Sequence, residues 1–300
     1  MKILISGASG LVGAALCGAL RAEGHTVARI VRPGGKAVDG DVRWDPASAV
    51  IDTTAMEGAE AVVHLSGASI ADGRWTPARK AVLRSSRVDS TRLLVDAMMQ
   101  LKRRPRLLVC ASATGYYGDR GEEALTEASD PGTDFLALLA RDWEAEAMRA
   151  SAAGIRTVML RFGVILARNG GALPKMLLPF RLGVGGRIGS GRQWLPWIAL
   201  EDAVGVARAA IEDERLAGAL NTVAPNPVRN NEFTRIAARL LHRPAIFAVP
   251  GFALRIALGE MAKPLLLAST RALPDKLTKL GHAFRFTELE AALREILERN

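Results

Sequence analysis

The stretch Ile3-Leu4-Ile5-Ser6-Gly7-Ala8-Ser9-Gly10-Leu11-Val12-Gly13 decides the fold, because an apolar strand runs directly into a glycine-rich turn and a helix. Gly7 permits a tight turn, Gly10 lets the backbone approach a pyrophosphate, and Gly13 lets the helix lie close to the sheet. The helix N-terminus supplies N–H donors for the phosphates. In this position the GxxGxxG spacing predicts dinucleotide binding. The residues assigned to this site are Gly7, Ser9, Gly10, Leu11, Val12 and Gly13.

Outward from this turn, continuous apolar runs alternate with stretches of helical periodicity. The runs predict strands buried on both faces, at residues 3–6, 26–31, 61–65, 106–112 and 156–161. The stretches between them predict helices at residues 11–22, 78–101 and 135–153. The alternation predicts an α/β fold, a Rossmann-type doubly wound parallel sheet with helices on both faces.

After residue 165 the elements become shorter and are separated by Gly- and Pro-rich pieces. Helices are predicted at 202–212, 230–241 and 286–298, and strands at 219–223 and 245–249. We therefore predict a nucleotide-binding Rossmann domain over residues 1–165 and a smaller C-terminal α/β domain over 166–300. The ligand is expected in the cleft between them, at the carboxyl edge of the sheet.

Composition excludes several classes of protein. The chain has 300 residues, of which 49% are hydrophobic and 24% charged, and charges interrupt every stretch long enough to span a membrane. The start, Met1-Lys2, leads at once into a strand, which predicts no secretory signal. Cys17 and Cys110 form no CxxC motif and the four histidines are scattered, so we expect no metal site, no membrane partner and a cytoplasmic location.

The formal net charge of +9 is dispersed along the chain. Its densest run, residues 102–106, is a short loop between a helix and a strand. Nucleic-acid readers instead carry a basic stripe with interleaved aromatic residues. We therefore expect no nucleic-acid partner and a small-molecule, anionic substrate, since dispersed positive charge attracts anions. A homodimer is compatible with this fold, although no apolar stripe in the sequence identifies an interface.

The end of the second predicted strand indicates which dinucleotide binds. A carboxylate there would accept the adenosine ribose hydroxyls of NAD. The strand ends Val31-Arg32, and the first acid after it is Asp39. Arg32 is suited to a bidentate pair with a 2′-phosphate, which favours NADP(H), although it could also be an ordinary exposed arginine.

Several motifs resemble those of the extended short-chain dehydrogenase/reductase superfamily, namely Gly7–Gly13, His64-Leu65-Ser66-Gly67, Arg161-Phe162-Gly163-Val164 and Gly189-Ser190-Gly191-Arg192-Gln193. Others resemble its atypical "epimerase family protein" subgroup, which ends in a small domain of unknown function: Arg74-Trp75, Ser86-Arg87-Val88, Gly115-Tyr116-Tyr117, Asp142-Trp143-Glu144 and Arg271-Ala272-Leu273-Pro274. The resemblance covers essentially the whole chain. It implies a Rossmann fold that binds NADP(H). The implied cofactor contacts, besides the glycine turn, are Arg32, Leu65, Ser66, Arg87 and Val164. Arg87 has an alternative role as a solvated helix residue.

The proton-transfer pair of the superfamily, Tyr-x-x-x-Lys, is absent. The only tyrosines are Tyr116 and Tyr117, and no lysine lies between Lys102 and Lys175. In that pair the lysine lowers the tyrosine pKa as hydride moves to or from the nicotinamide. Three hydroxyls remain as catalytic candidates: those of Ser112, Tyr116 and Tyr117. Ser112 either contacts a substrate oxygen or satisfies strand-end backbone groups, and the tyrosines either supply an acid or wall the pocket.

Other polar side chains have two interpretations each. Glu144 is a conceivable base or a solvated helix residue, while Arg161, Lys175 and Arg192 could bind an anionic substrate or pair with acids. Two functions follow. One is an NADP(H)-dependent oxidoreductase or epimerase with unorthodox proton chemistry. The other is a catalytically silent, cofactor-binding regulatory or scaffold protein, towards which a cell-division label carried by some family members points.

Overall fold

A computed structural model of the chain describes residues 1–298. Its strands are β1 (Lys2–Ser6), β2 (Thr26–Val31), β3 (Val42–Asp45), β4 (Val50–Ile51), β5 (Ala61–His64), β6 (Leu107–Ala113), β7 (Ala124–Leu125), β8 (Arg156–Phe162), β9 (Val164–Leu166), β10 (Gly186–Ile188), β11 (Trp194–Leu195), β12 (Trp197–Ala199), β13 (Gly218–Thr222), β14 (Val228–Arg229), β15 (Phe247–Val249) and β16 (Arg271–Ala272). Its helices are α1 (Leu11–Ala22), α2 (Thr53–Met56), α3 (Pro77–Arg84), α4 (Ser90–Gln100), α5 (Phe135–Ala152), α6 (Leu173–Arg181), α7 (Leu200–Glu212), α8 (Asn230–Leu240), α9 (Gly251–Leu258), α10 (Asp275–Lys279) and α11 (Leu289–Glu298).

Eight strands form the central sheet, in the order β13-β8-β6-β5-β1-β2-β3-β4. Every neighbouring pair is parallel except β3 with β4. The central strands β1, β5, β6 and β8 are buried along most of their length, because helices cover both faces of the sheet. The order reverses between β1 and β5, so the crevice at their carboxyl ends is the expected ligand site. The α/β prediction is confirmed.

Two cores lie on opposite faces of the sheet. On one face, Leu16 and Leu20 of α1 pack with Ala203 and Ala207 of α7. On the other face α4 and α5 pack together, through side chains that include Leu94, Met98, Leu139, Trp143 and Ala147. Residues three or four positions apart in a helix share a face, and these helices place apolar residues on the face towards the sheet.

A third core lies among elements that follow β8 in the chain. It contains Leu177 of α6, Phe233 of α8 and Leu293 of α11, all buried. The buried carboxylate of Asp202 on α7 accepts hydrogen bonds from the backbone N–H groups of Arg285 (2.6 Å) and Phe286 (3.0 Å). The C-terminal elements are thereby attached to a helix of the main sheet.

The predicted elements differ from the observed ones in a few places. Helix α1 and strand β2 have the predicted bounds, whereas the single helix predicted over 78–101 is divided by a π-helical turn, Ser85–Asp89. Most of the short elements were not predicted, namely β3, β4, β7, β9, β10, β11, β12, β14, β16, α2, α6, α9 and α10. The division of the chain at residue 165 stays a prediction, and α7 and β13, which follow it in sequence, pack on or within the central sheet. Within residues 1–298, no helix has the length and apolar character that a membrane span requires.

Candidate cofactor and active site

The glycine turn adopts the geometry that its sequence predicts. Gly7 has φ +70°, and a Cβ there would lie 2.7 Å from the Leu65 carbonyl carbon. A Cβ on Gly13 would overlap the carbonyl oxygen of Gly7. Gly10 N donates to Gly7 O at 2.9 Å, and α1 begins at the next residue. Leu11 and Val12 thus lie in the first turn, where backbone N–H groups lack intrahelical partners, and Ser9 is exposed beside them. The turn leaves a cradle for a phosphate at the carboxyl edge.

Two arginines, Arg29 in β2 and Arg32 directly after it, differ in their surroundings. Arg29 is held by the nearly buried carboxylate of Asp41, which also accepts a bond from the Arg29 backbone N–H at 2.9 Å. That pairing raises the pKa of Arg29 above its ordinary value. Arg32 is exposed just past β2, and no acid within residues 1–298 lies within ion-pair distance of it. Arg32 is therefore available for a ligand phosphate, and Arg29 is not.

The predicted contacts Leu65 and Ser66 follow β5 directly, where Leu65 abuts Gly7. Arg87 reaches the same loop from the π-helical turn, with its Nη2 donating to Ala68 O at 3.0 Å. Arg79 donates to the neighbouring Ser69 carbonyl, and its buried Nε has no partner among the described residues. Burial and, to a lesser extent, the charge of Arg79 together lower the pKa of Arg87 to about 10. Two cations with no acid between them fit an anionic ligand.

A buried histidine lies under the glycine turn. His64 is fully buried at the end of β5, and its Nδ1 lies 2.6 Å from the Ser6 hydroxyl at the end of β1. Its ring packs edge-on against Trp44, with centroids 5.7 Å apart. Burial lowers the pKa of His64 to about 4, so the imidazole is neutral at pH 7. It is a structural support for the strand ends that carry the turn.

At the other end of the carboxyl edge, the structure buries an ion pair. Arg161 on β8 and Glu144 on α5 are 3% and 7% exposed, and two guanidinium nitrogens each lie 2.8 Å from a Glu144 oxygen. Ser112 on β6 donates to the same carboxylate at 2.6 Å. Burial alone would lower the pKa of Arg161, but the hydrogen bonds and charge of Glu144 raise it above its ordinary value. The pair is bidentate and fixed.

The two tyrosines occupy the 3₁₀ turn Thr114–Tyr117 and differ in their surroundings. Tyr117 is fully buried, and its hydroxyl bonds Asn221 (2.6 Å), the Thr126 carbonyl (2.9 Å) and Arg161 (2.9 Å). Burial raises the pKa of Tyr117 to about 12. Tyr116 is half-buried, with its ring centroid 3.5 Å from the guanidinium carbon of Arg161. Its hydroxyl has no hydrogen-bond partner among residues 1–298.

Sequence reasoning missed part of this network. It treated Glu144 as a conceivable base or a solvated helix residue, whereas the structure buries it. For Arg161 it left open an anion site or a pair with an acid, and the structure shows the pair, with Glu144 as the acid. The missed signal is the stripe Ala137, Ala140, Glu144 and Ala147, which is buried on one helix face. Asn221 and Arg79 were also missed. Val164 begins β9, half-buried, with its backbone N–H bonded to Pro196 O at 2.7 Å.

One cluster of metal-ligand types lies elsewhere. Ligand atoms of Glu23, His25 and Glu212 fall within 4.8 Å of one another at the opposite, amino-terminal edge of the sheet. Arg208 already forms an ion pair with Glu23. A bound cation would have to displace that guanidinium, so the cluster is occupied by protein charge.

A strand, glycine turn and helix at the carboxyl edge of a doubly wound parallel sheet define a Rossmann-type nucleotide-binding protein. The sequence profile of the NAD dependent epimerase/dehydratase family matches residues 3–221. A domain of unknown function, DUF1731, matches residues 249–296. The chain therefore belongs to the NAD-dependent epimerase/dehydratase family, and the resemblance noted in its motifs is confirmed.

Known relatives resemble the chain over nearly its full length. Epimerase family protein Mb2239 of Mycobacterium bovis is 41% identical over 291 residues, which cover 97% of this chain and 96% of that protein. The crystal structure of human epimerase family protein SDR39U1 (isoform 2) with NADPH is 33% identical, with a TM-score of 0.88 and full coverage of both chains. A nucleoside-diphosphate sugar epimerase of Corynebacterium glutamicum is 36% identical with a TM-score of 0.81. The match covers 99% of this chain but only 58% of that longer one.

Proposed function

We propose that the protein binds NADP(H) and catalyses an oxidoreductase or epimerase reaction on a small molecule. The observation that carries the proposal is the combination of the glycine cradle with an exposed Arg32 that no acid within residues 1–298 neutralises. A 2′-phosphate would supply the missing partner for Arg32. The NADPH bound to the human relative supports the same choice of cofactor.

The residues present fit such a cofactor. A Cβ at Gly7 would collide with the backbone of Leu65, and one at Gly13 with the backbone of Gly7, so the turn keeps its shape only with glycine at both positions. The first turn of α1 offers backbone donors for a pyrophosphate. Arg79 and Arg87 donate to the loop that follows β5, where negative charge of a ligand would relieve their mutual repulsion. When bound, the nicotinamide supplies a hydride acceptor or donor. Leu65, Ser66 and Val164 are assigned to the walls of the cofactor site.

Among the three hydroxyls, we assign the substrate contact to Tyr116. Its ring is half-buried and its hydroxyl is unpaired within residues 1–298, whereas Ser112 and Tyr117 donate into the protein. Arg161 lies against the Tyr116 ring and places positive charge beside the site. We therefore propose that Ser112 and Tyr117 act as positioning residues, which fix the Glu144–Arg161 pair behind Tyr116.

The missing proton-transfer pair favours a second candidate, a cofactor-binding regulatory or scaffold protein without catalysis. No lysine or tyrosine occurs on α5, and the hydroxyls of Ser112 and Tyr117 are satisfied internally. Under this alternative NADPH would bind, but no small molecule would oxidise it. A screen of carbonyl compounds and nucleotide sugars against bound NADPH separates the two. Turnover that is lost in Tyr116→Phe supports the enzyme, and a screen without any turnover supports the alternative.

Cofactor binding is tested by fluorescence titration with NADPH and, separately, NADH. We expect tight binding of NADPH and much weaker binding of NADH. Arg32→Ala should lower the affinity for NADPH about tenfold and leave the affinity for NADH unchanged, because only NADPH carries the 2′-phosphate. The effect should shrink at high salt, since Arg32 is exposed.

The control variant is Arg104→Ala, which removes the same charge from a loop that precedes β6 at the amino-terminal edge of the sheet. It should bind NADPH as the wild type does. An equal loss of NADPH affinity in both variants would show a general effect of net charge and would mean that Arg32 does not contact the cofactor. Failure of the wild type to bind either nucleotide would reject the proposed function.

A further inference from the structure

A second cavity lies at the junction between the parts of the chain matched by the two family profiles. It has a volume of about 400 Å³, which is the size of a small-molecule site. The part of the chain within residues 3–221 contributes Trp75, Asp134 and Phe135. The part within residues 249–296 contributes Arg255, Glu260 and Lys263. Neither part of the chain forms the cavity alone.

One wall of the cavity is aromatic and fixed. Trp75 is only 7% exposed, and its Nε1 donates to the Ile70 carbonyl at 2.9 Å. Its ring meets Phe135 at 64°, with the ring centroids 5.2 Å apart. Two rings held in this way offer a rigid apolar surface, which costs little conformational entropy when a flat ligand binds.

The charges around this wall do not cancel. Glu260 is paired with Lys80, whose Nζ lies 2.5 Å from its carboxylate and 5.0 Å from the Phe135 ring centroid. Asp134 caps α5 by accepting the Ala137 N–H at 3.0 Å. Arg255 and Lys263, by contrast, have no ion-pair partner among the described residues of the chain. The cavity therefore presents two cations without ion-pair partners within residues 1–298 beside an apolar wall, against one carboxylate, that of Asp134, which accepts from a backbone N–H.

The cavity also adjoins the tyrosine turn. The backbone N–H of Gly132 donates to Tyr116 O at 2.8 Å. A Cβ on Gly118, next to Tyr117, would lie 3.2 Å from an Asp134 oxygen. A ligand bound against Phe135 would thus lie beside the loop that carries Tyr116.

We propose that this cavity binds an organic anion, a carboxylate or phosphate attached to a flat apolar body. Arg255 and Lys263 bind the charged group, and Trp75 with Phe135 receives the apolar body. That this anion is the substrate rests on the proposed function, whereas its binding does not. The C-terminal domain then selects the substrate, because it supplies both unpaired cations.

The C-terminal cations are held in place by a clamp across the junction. Arg74, next to Trp75, donates its Nη2 to the carbonyls of Ile256 (2.6 Å) and Ala257 (2.9 Å) at the end of α9. These carbonyls have no partner within their own helix, so a guanidinium stabilises the helix terminus. The clamp and the Lys80–Glu260 pair fix Arg255 and Lys263 relative to the aromatic wall.

The test compares two probes that share a ring system and differ in charge, 2-naphthoate and 2-naphthamide. Each is titrated calorimetrically into the full-length protein saturated with NADP⁺, at low salt. We expect naphthoate to bind at least about tenfold more tightly, as expected for one charge-assisted contact. Arg255→Gln combined with Lys263→Gln should reduce that preference below about threefold.

The matched control, Arg103→Gln with Arg104→Gln, removes two charges from the opposite edge of the sheet and should keep the preference. Phe135→Leu should lower the affinities for both probes and leave the ratio of the two affinities unchanged. Equal affinity of the two probes for the wild type, no binding of either, or a preference that survives the Arg255/Lys263 variant would overturn the proposal. Naphthoate selectivity without NADPH binding would reject the proposed reaction and keep the site.

Discussion

The two ends of the carboxyl edge satisfy their polar groups in opposite ways. At the glycine turn, Arg32 has no acidic partner within residues 1–298, and Arg79 Nε is buried without a hydrogen bond. At the tyrosine turn, Glu144 and Arg161 bind each other and two neighbouring hydroxyls. A buried polar group without a partner costs stability unless a ligand pairs with it, and an exposed cation such as Arg32 stays hydrated until a ligand binds. A satisfied buried network instead fixes one conformation. The first end is built for binding and the second for rigidity.

The largest effect is expected from breaking the rigid end. Glu144→Gln keeps the shape of the side chain but leaves the buried Arg161 charge unpaired, which should cost about 3–5 kcal/mol of unfolding free energy. Glu146→Gln, two residues along the same helix, breaks surface pairs with Arg92 and Arg149 and should cost less than about 1 kcal/mol. Urea denaturation of both variants measures the difference. Similar losses would mean that the buried pair contributes no more than a surface one.

A smaller effect should appear as a pH dependence at the binding end. The pKa of His64 is about 4 in the folded protein, against about 6.5 for an ordinary histidine. Between pH 6.5 and pH 4 the histidine is protonated in the unfolded chain and neutral in the folded protein. The free energy of unfolding therefore falls as the pH is lowered. Between pH 7 and pH 4.5 the loss should be about 2.5 kcal/mol.

The His64 contribution is isolated by following the unfolding free energy of wild type and His64→Gln over this range. The difference between the two proteins should narrow as the pH falls, because only the wild type loses this stabilisation. Parallel curves would show that His64 is not responsible. Loss of Ser6 bonding in the variant shifts its whole curve without changing this slope.

The smallest effect on stability is expected from alanine at the glycine turn. In Gly13→Ala the new Cβ overlaps Gly7 O, which should cost about 1–3 kcal/mol and weaken NADPH more than tenfold. Gly18→Ala, exposed on the same helix with nothing within 4 Å of its Cβ, should stabilise the protein by about 0.5–1 kcal/mol. Thermal unfolding and NADPH titration check both. Unchanged NADPH affinity in Gly13→Ala would separate the turn from the cofactor site.

The sequence predicts the binding end well because its signals are local. A glycine turn between a strand and a helix and an arginine after the second strand need no knowledge of tertiary contacts. The central strands follow equally from their continuous apolar runs, and β2 and α1 have the predicted bounds. Arg29 shows the limit of this reasoning, since its partner Asp41 lies twelve positions further along the chain, beyond the end of β2.

The rigid end depends on long-range contacts and is therefore harder to predict. Glu144 and Arg161 meet only because α5 packs across β6 and β8, and Tyr117 meets Asn221 across 104 residues of chain. A charged residue on a helix is usually solvated, so the pattern favours the wrong environment for Glu144. The π-helical turn at Ser85–Asp89 has no sequence signal either, since its residues suit an ordinary helix.

That π-helical turn has a consequence for the directions of the side chains on either side of it. A π-turn is an α-helix with one residue added, so the helical phase changes by about 100° where it occurs. Without the extra residue, α3 and α4 would form one continuous helix, and Arg79 before the turn would rotate relative to Arg87 within it. The added residue thus sets the relative directions in which Arg79 and Arg87 leave the helix to reach the loop after β5.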